Sequence, residues 1–267
     1  MNTTFISISL LSIGLLITTE AAMAQTRPTQ RRRFLGLGRS REEVMQRREK
    51  REKPEQPCIY FPQAPQPGEW RRSVGLVFTA TPPEITEEVR VSVPAIDLNL
   101  QRGLTKNLYV VGRLQTQFIQ NSLNLGLRYA MPLSEKWFVS AGYDINGWMG
   151  VLKIRDVFDA QAYGVSNYPN VSVGYRLTRT LQLMARTEAI FDFYYHSQVG
   201  SLSVDYHRPQ LSGVAFAFAL EQPFYKKQHV TLGIRAAYSR FNWQFWSLYE
   251  TFDRPLFYPQ LFFGFIL

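Results

Sequence analysis

Residues Leu211 to Tyr238 read LSGVAFAFALEQPFYKKQHVTLGIRAAY. In the first half Val214, Phe216, Phe218 and Leu220 share one side, and Gly213, Ala215, Ala217 and Ala219 share the other. After Lys226-Lys227-Gln228, Val230, Leu232, Ile234, Ala236 and Tyr238 fall together, opposite Thr231, Gly233, Arg235, Ala237 and Ser239. Side chains alternate along a strand, so each half is a ribbon with one bulky apolar face and one small or polar face. A soluble sandwich would bury the bulky face and show long polar side chains outside. Gly, Ala, Ser and Thr with an occasional charge suit instead the interior of a narrow barrel whose bulky face meets lipid.

The same chemistry recurs outward from this hairpin. Val74, Leu76 and Phe78 oppose Ser73, Gly75 and Thr79; Ile96, Leu98 and Leu100 oppose Asp97, Asn99 and Gln101. Leu108, Val110, Leu114 and Phe118 oppose Arg113, Gln115 and Gln117, and Leu123, Leu125, Leu127 and Tyr129 oppose Asn124, Gly126 and Arg128. Similar runs start at Trp137, Val171 and Leu181, and Phe257 to Leu267 closes the series. The expectation is an all-β fold: a transmembrane antiparallel up-and-down β-barrel of about ten strands over residues 71 to 267.

The connections support it. Short turns are expected at Gly103 to Asn107, Pro132 to Lys136, Thr178 to Thr180 and Pro223 to Gln228. Longer loops fall between them, at Thr81 to Ser92, Trp148 to Asn167, Tyr194 to Pro209 and Arg240 to Pro255; a tight turn at Gln120-Asn121 is the exception. An even strand count puts both termini on the short-turn side, which in this reading is periplasmic. Tyr129, Trp137, Tyr175 and Phe265 fall near one end of the strands and Tyr143, Phe191, Phe193, Tyr238 and Phe257 near the other, as two interfacial girdles would.

Ahead of the barrel, residues 1 to 24 read as a secretory signal peptide: Phe5 to Ile17 is apolar and Ala22-Met23-Ala24 is a small-x-small cleavage site. The competing reading is an N-terminal anchor, for which the apolar stretch is short. Residues 25 to 70 form a basic, Pro-rich leader expected to be flexible and periplasmic. Eleven Lys and Arg between 27 and 53 face four Glu, which accounts for most of the net charge of +9. Pro54, Pro57, Pro62, Pro65 and Pro67 then enforce an extended linker. This leader is a solvated tail or contacts lipid headgroups, cell-wall polymer or a partner protein through residues 25 to 68. The single cysteine, Cys58, makes no internal disulfide and is read as incidental.

With the signal, the strand repeat and the ending Gln260-Leu-Phe-Phe-Gly-Phe-Ile-Leu267, the chain resembles a Gram-negative outer-membrane β-barrel. The resemblance implies insertion in the outer membrane among its lipids. It also implies recognition by the barrel-assembly machinery through the C-terminal strand, here Phe263, Phe265 and Leu267, with Leu267 where the family usually ends in Phe. It carries no specific activity.

The inward faces carry Asp97, Arg113, Arg128, Asp144, Arg176, Arg186, Glu188, Asp192, Glu221 and Arg235. Charges are costly on the lipid side, so their common placement fits the same orientation. They form either a paired network that blocks the lumen or a narrow path for a small, anionic solute walled by arginines. An enzymatic alternative, an outer-membrane hydrolase acting on protein or lipid from the outer loops, rests on Asp205-Tyr206-His207, which resembles the Asp-x-His pair of omptin proteases, although the paired-aspartate loop of that family has no counterpart at the Gln120-Asn121 turn. No metal site, cofactor motif or nucleic-acid motif is expected.

Overall fold

The computed structural model describes residues 58–80, 82, 94–117, 119–154, 158–178, 180–225, 228–240 and 254–267. The signal peptide and the leader through residue 57 lie outside the described residues.

Eleven strand segments are described: β1 (Trp70–Thr79), β2 (Pro94–Gly103), β3 (Leu108–Thr116), β4 (Gln120–Pro132), β5 (Trp137–Ile154), β6 (Phe158–Arg176), β7 (Gln182–Val199), β8 (Leu202–Tyr206), β9 (Gln210–Tyr225), β10 (Gln228–Ser239) and β11 (Leu256–Ile266). Consecutive segments pair antiparallel except β8 and β9, which both pair with β7, and β1 pairs with β11 from Ser73 opposite Ile266 to Thr79 opposite Gln260, which closes the ring. β8 and β9 lie in line along β7, β8 on its far end and β9 on the rest, so eleven segments make ten staves.

The burial pattern is the inverse of a soluble protein's. Along β2, Ala95, Asp97, Asn99 and Gln101 are buried while Ile96, Leu98 and Leu100 are exposed. In the opening hairpin Leu232 is 48% exposed and its chain neighbour Thr231, on the other face, 1%. A belt of Leu, Ile, Val and Phe facing outward is stable only against hydrocarbon, and a closed ring leaves no strand edge unpaired there. The girdle aromatics lie as expected. Trp137 packs on Tyr175 with ring centroids 4.7 Å apart, and the Tyr129 hydroxyl accepts from Asn107 at 3.0 Å.

Three expectations need correction. The loops foreseen at Trp148 to Asn167 and Tyr194 to Pro209 are mostly paired strand: β5 and β6 stay in register from Trp137 opposite Tyr175 to Ile154 opposite Phe158, and β7 turns back into β8. Apolar alternation fades there because beyond the lipid both faces of a hairpin can be polar, while backbone pairing continues regardless. The tight turn precedes Gln120 instead of following it, with the Gln117 amide donating to the Gln120 carbonyl at 3.0 Å.

The third correction concerns residues 58 to 68. They are not a free linker but a folded segment inside the short-turn mouth of the barrel, with Cys58, Ile59 and Phe61 buried. Its prolines shape it. The Gln63 amide reaches the Phe61 carbonyl around Pro62 at 2.7 Å, a three-residue turn. Pro67-Gly68 then forms a type II turn, with Gly68 at φ 82° and the Glu69 amide donating to the Gln66 carbonyl at 2.8 Å. That reversal delivers the chain into β1.

Candidate functional site

The site is the lumen and the segment that fills its mouth. Glu221, near the end of β9, is 1% exposed and would be a costly isolated charge. Three consecutive amides satisfy it: those of Ile59 and Tyr60 donate to one carboxylate oxygen at 2.9 Å each, and that of Phe61 donates to the other at 3.0 Å. The Thr231 hydroxyl donates to it at 3.0 Å as well. Successive amides curled round an anion form a binding nest of the kind otherwise used for ions.

The remaining contacts hold the segment on every side. The Tyr60 hydroxyl donates to Asp97 at 3.1 Å, and burial, followed by the Asp97 charge, holds that hydroxyl well above the ordinary phenol range, so it remains a neutral donor. Arg71 donates to the Cys58 sulfur at 3.0 Å and to the Gln63 carbonyl at 3.1 Å. Cys58 is therefore an integral part of the packing, not an incidental residue. Phe61 packs on Phe138 with ring centroids 5.0 Å apart. Gly174 makes room: a Cβ there would lie 2.6 Å from both Phe61 and Pro62.

Behind this segment stands a chain of ion pairs. Arg113 grips Asp97 with two bonds, Nε to Oδ1 at 2.7 Å and Nη2 to Oδ2 at 3.1 Å. Asp144 accepts from Arg128 at 2.7 Å and from Arg186 at 2.8 Å, and Arg186 also meets Glu188 at 3.0 Å. Glu188 accepts in turn from Arg235. Asp192 is held by the hydroxyls of Ser166 and Ser212. A cavity of about 70 Å³ lies among these groups, room for a few water molecules.

Ten inward charges were expected from sequence, and Glu221 is the one that holds the segment at the mouth. Asp97, Arg113, Arg128, Asp144, Arg186, Glu188 and Arg235 come together in the network, and Asp192 lies beside it. Arg176 does not join the ion pairs. It lies at the mouth, its guanidinium 4.8 Å from the Phe138 ring centroid and 3.2 Å from the Gln63 side-chain oxygen. Phe263 and Leu267 project outward from β11 and its end, and Phe263 meets Phe265 edge to face at 4.9 Å.

The Asp205 and His207 pair is not formed. Asp205 lies opposite His196 across β7 and β8 and meets its Nδ1 at 2.6 Å, while the His207 ring rests against Tyr194. Adjacent-strand register, not sequence proximity, picks the partner. Among the described residues no group of three His, Cys, Asp or Glu side chains is placed to hold a metal ion.

What sequence reasoning missed is the role of Glu221 and its partners. The signal was the apolar run Ile59-Tyr60-Phe61 in an otherwise polar leader, since three such residues are rarely left in water.

No family model and no curated protein matches the chain. Solved barrels do align with it. An outer membrane channel from Pseudomonas putida F1 is 11% identical over 77% of this chain and 98% of that one, with a TM-score of 0.42. The translocator domain of the autotransporter NalP from Neisseria meningitidis is 10% identical over 84% and 94%, at 0.40. Ail, the attachment invasion locus protein of Yersinia pestis, is 13% identical over 76% and 100%, at 0.36. At these levels the likeness says nothing of activity.

Proposed function

We propose that this chain is an outer-membrane barrel closed by its own N-terminal segment, with a structural or interaction role there in preference to that of a steadily open pore. The observation that carries this reading is the triple amide clasp on Glu221, which holds residues 59 to 61 across the mouth. In this reading residues 1 to 24 direct export and are removed, both termini face the periplasm, and the C-terminal strand engages the assembly machinery. The basic leader then lies where it can meet cell-wall polymer or a periplasmic partner.

A second reading, a narrow porin-like path opened when the segment withdraws, is favoured by the guanidiniums of Arg113, Arg128, Arg186 and Arg235 around the cavity. Conductance of the refolded chain in planar bilayers separates the two. Silence from the full chain, with steady current from a variant lacking residues 58 to 68, supports a sealed barrel with a removable closure. Steady current from the full chain overturns the sealed reading.

A further inference from the structure

Beyond the lumen, the outward face of the far hairpins carries an ordered patch. Register places Val151, Gln161, Gln198 and Ser203 side by side across β5, β6, β7 and β8. The next row toward the membrane is Met149, Tyr163, His196 and Asp205, and below it come Gly147, Val165 and Tyr194, with the His207 ring 5.0 Å from Tyr194. The rows run from amides and a hydroxyl, through aromatic and ionisable groups, to an apolar edge where the lipid belt begins.

That apolar edge is hollow. Gly147 leaves its outward position empty, with nothing within 4 Å of where a Cβ would stand. Around it lies a groove of about 440 Å³ bordered by Leu123, Met149, Val165, Tyr163 and Tyr194, within the range of small-ligand sites. Tyr163 and Tyr194 belong to both groove and patch, and their hydroxyls meet 3.5 Å apart at the boundary. A groove facing hydrocarbon takes an acyl chain, and the polar rows beyond it take that chain's headgroup.

The headgroup class follows from the groups displayed. Among the described residues of this face, Lys153 is paired with Asp159 at 2.8 Å and the His196 ring with Asp205 at 2.6 Å, which leaves little to attract a phosphate. What remains is a set of half-exposed rings beside planar donors and acceptors: Tyr163 packs on His196 at 5.1 Å, and Gln161 and Gln198 face each other at 2.7 Å. Flat rings flanked by amides and a carboxylate match the C–H faces and hydroxyls of a sugar. We propose that this patch binds a glycolipid, its acyl chain in the Gly147 groove and its saccharide headgroup on Gln161, Tyr163, Gln198 and Asp205. The site depends on the barrel sitting in a bilayer but not on whether its lumen is open.

The test uses the full chain in liposomes of phosphatidylethanolamine, phosphatidylglycerol and an acylated glucosamine-disaccharide lipid, extracted in mild detergent and weighed by native mass spectrometry. The wild-type chain is expected to retain the glycolipid over phosphatidylglycerol by about tenfold, the factor that 1.4 kcal/mol brings. Gly147→Leu, which fills open space and leaves the strands paired, and the double variant Gln161→Ala/Tyr163→Ala are each expected to erase the preference, with folding checked by heat-modifiable migration. Equal retention of both lipids by the wild type overturns the proposal, as does undiminished preference in the double variant. Should Gly147→Leu fail to fold, the double variant decides alone.

Discussion

The carboxylate of Glu221 accepts the backbone amide of Phe61 at 3.0 Å, across 160 residues of chain. A stave of the wall thereby holds the segment that precedes the first stave, and the sole cysteine beside it reports whether the clasp is shut.

Cys58 is fully buried in the closed state, so its reaction with a maleimide measures opening. Glu221→Ala removes the acceptor of three amides. A bond to a charged group contributes about 1.5–3 kcal/mol, and bonds that share one acceptor do not add. Labelling of folded protein is expected to accelerate on the order of a hundredfold, the effect of roughly 3 kcal/mol on an opening equilibrium. Labelling at the wild-type rate would show that the clasp does not hold the segment.

Tyr60→Phe removes one hydroxyl bond to Asp97, while Arg113 continues to neutralise that carboxylate. The expected loss is about 1 kcal/mol, seen as a several-fold rise in Cys58 labelling, smaller than for Glu221→Ala. An effect equal to that of Glu221→Ala would move the centre of the closure from the amide clasp to the tyrosine.

Asp144 is shared by Arg128 and Arg186, and Asp144→Asn takes the carboxylate from between these two guanidiniums and leaves Arg186 with Glu188. Breaking a buried pair typically costs about 3–5 kcal/mol. The urea midpoint of the reconstituted barrel is expected to fall accordingly, and replacing Arg186 by Met in the same chain should recover part of the loss. No recovery would mean that the aspartate acts through packing and not through its charge.

Leu232 stands on the lipid face of β10, opposite Leu220 and Phe263 in the neighbouring strands. Leu232→Arg places a guanidinium in hydrocarbon at a cost of about 2–4 kcal/mol near the midplane. Assembly into the heat-modifiable form should fail or fall sharply. Normal assembly would contradict the assignment of this face to lipid.

The outward face was legible because lipid demands it to be apolar at every second residue, as β2 and β10 show from sequence alone. The inward face was legible as a set of charges but not as pairs. Arg186 finds Asp144 and Arg235 finds Glu188 through the stagger of the closed ring, 42 and 47 residues apart, and no local pattern encodes that stagger. The far hairpins were read as loops because the alternation ends where lipid ends while backbone pairing does not. The filling of the mouth escaped because prolines look the same in a linker as in a sequence of tight turns. Only Ile59-Tyr60-Phe61, too apolar for solvent, marked the difference.

The seam between β1 and β11 joins the first stave to the last, and the segment clasped by Glu221 is tied to the near side of that seam by the Pro67-Gly68 reversal. A ring that closes last at β1 and β11 therefore closes around something already tethered to its rim. The stopper does not have to find a finished hole, because chain order brings it to the mouth with the first stave and the ninth segment catches it as the wall is completed. If the barrel is sealed as proposed above, it would enter the cell envelope with its stopper already in place.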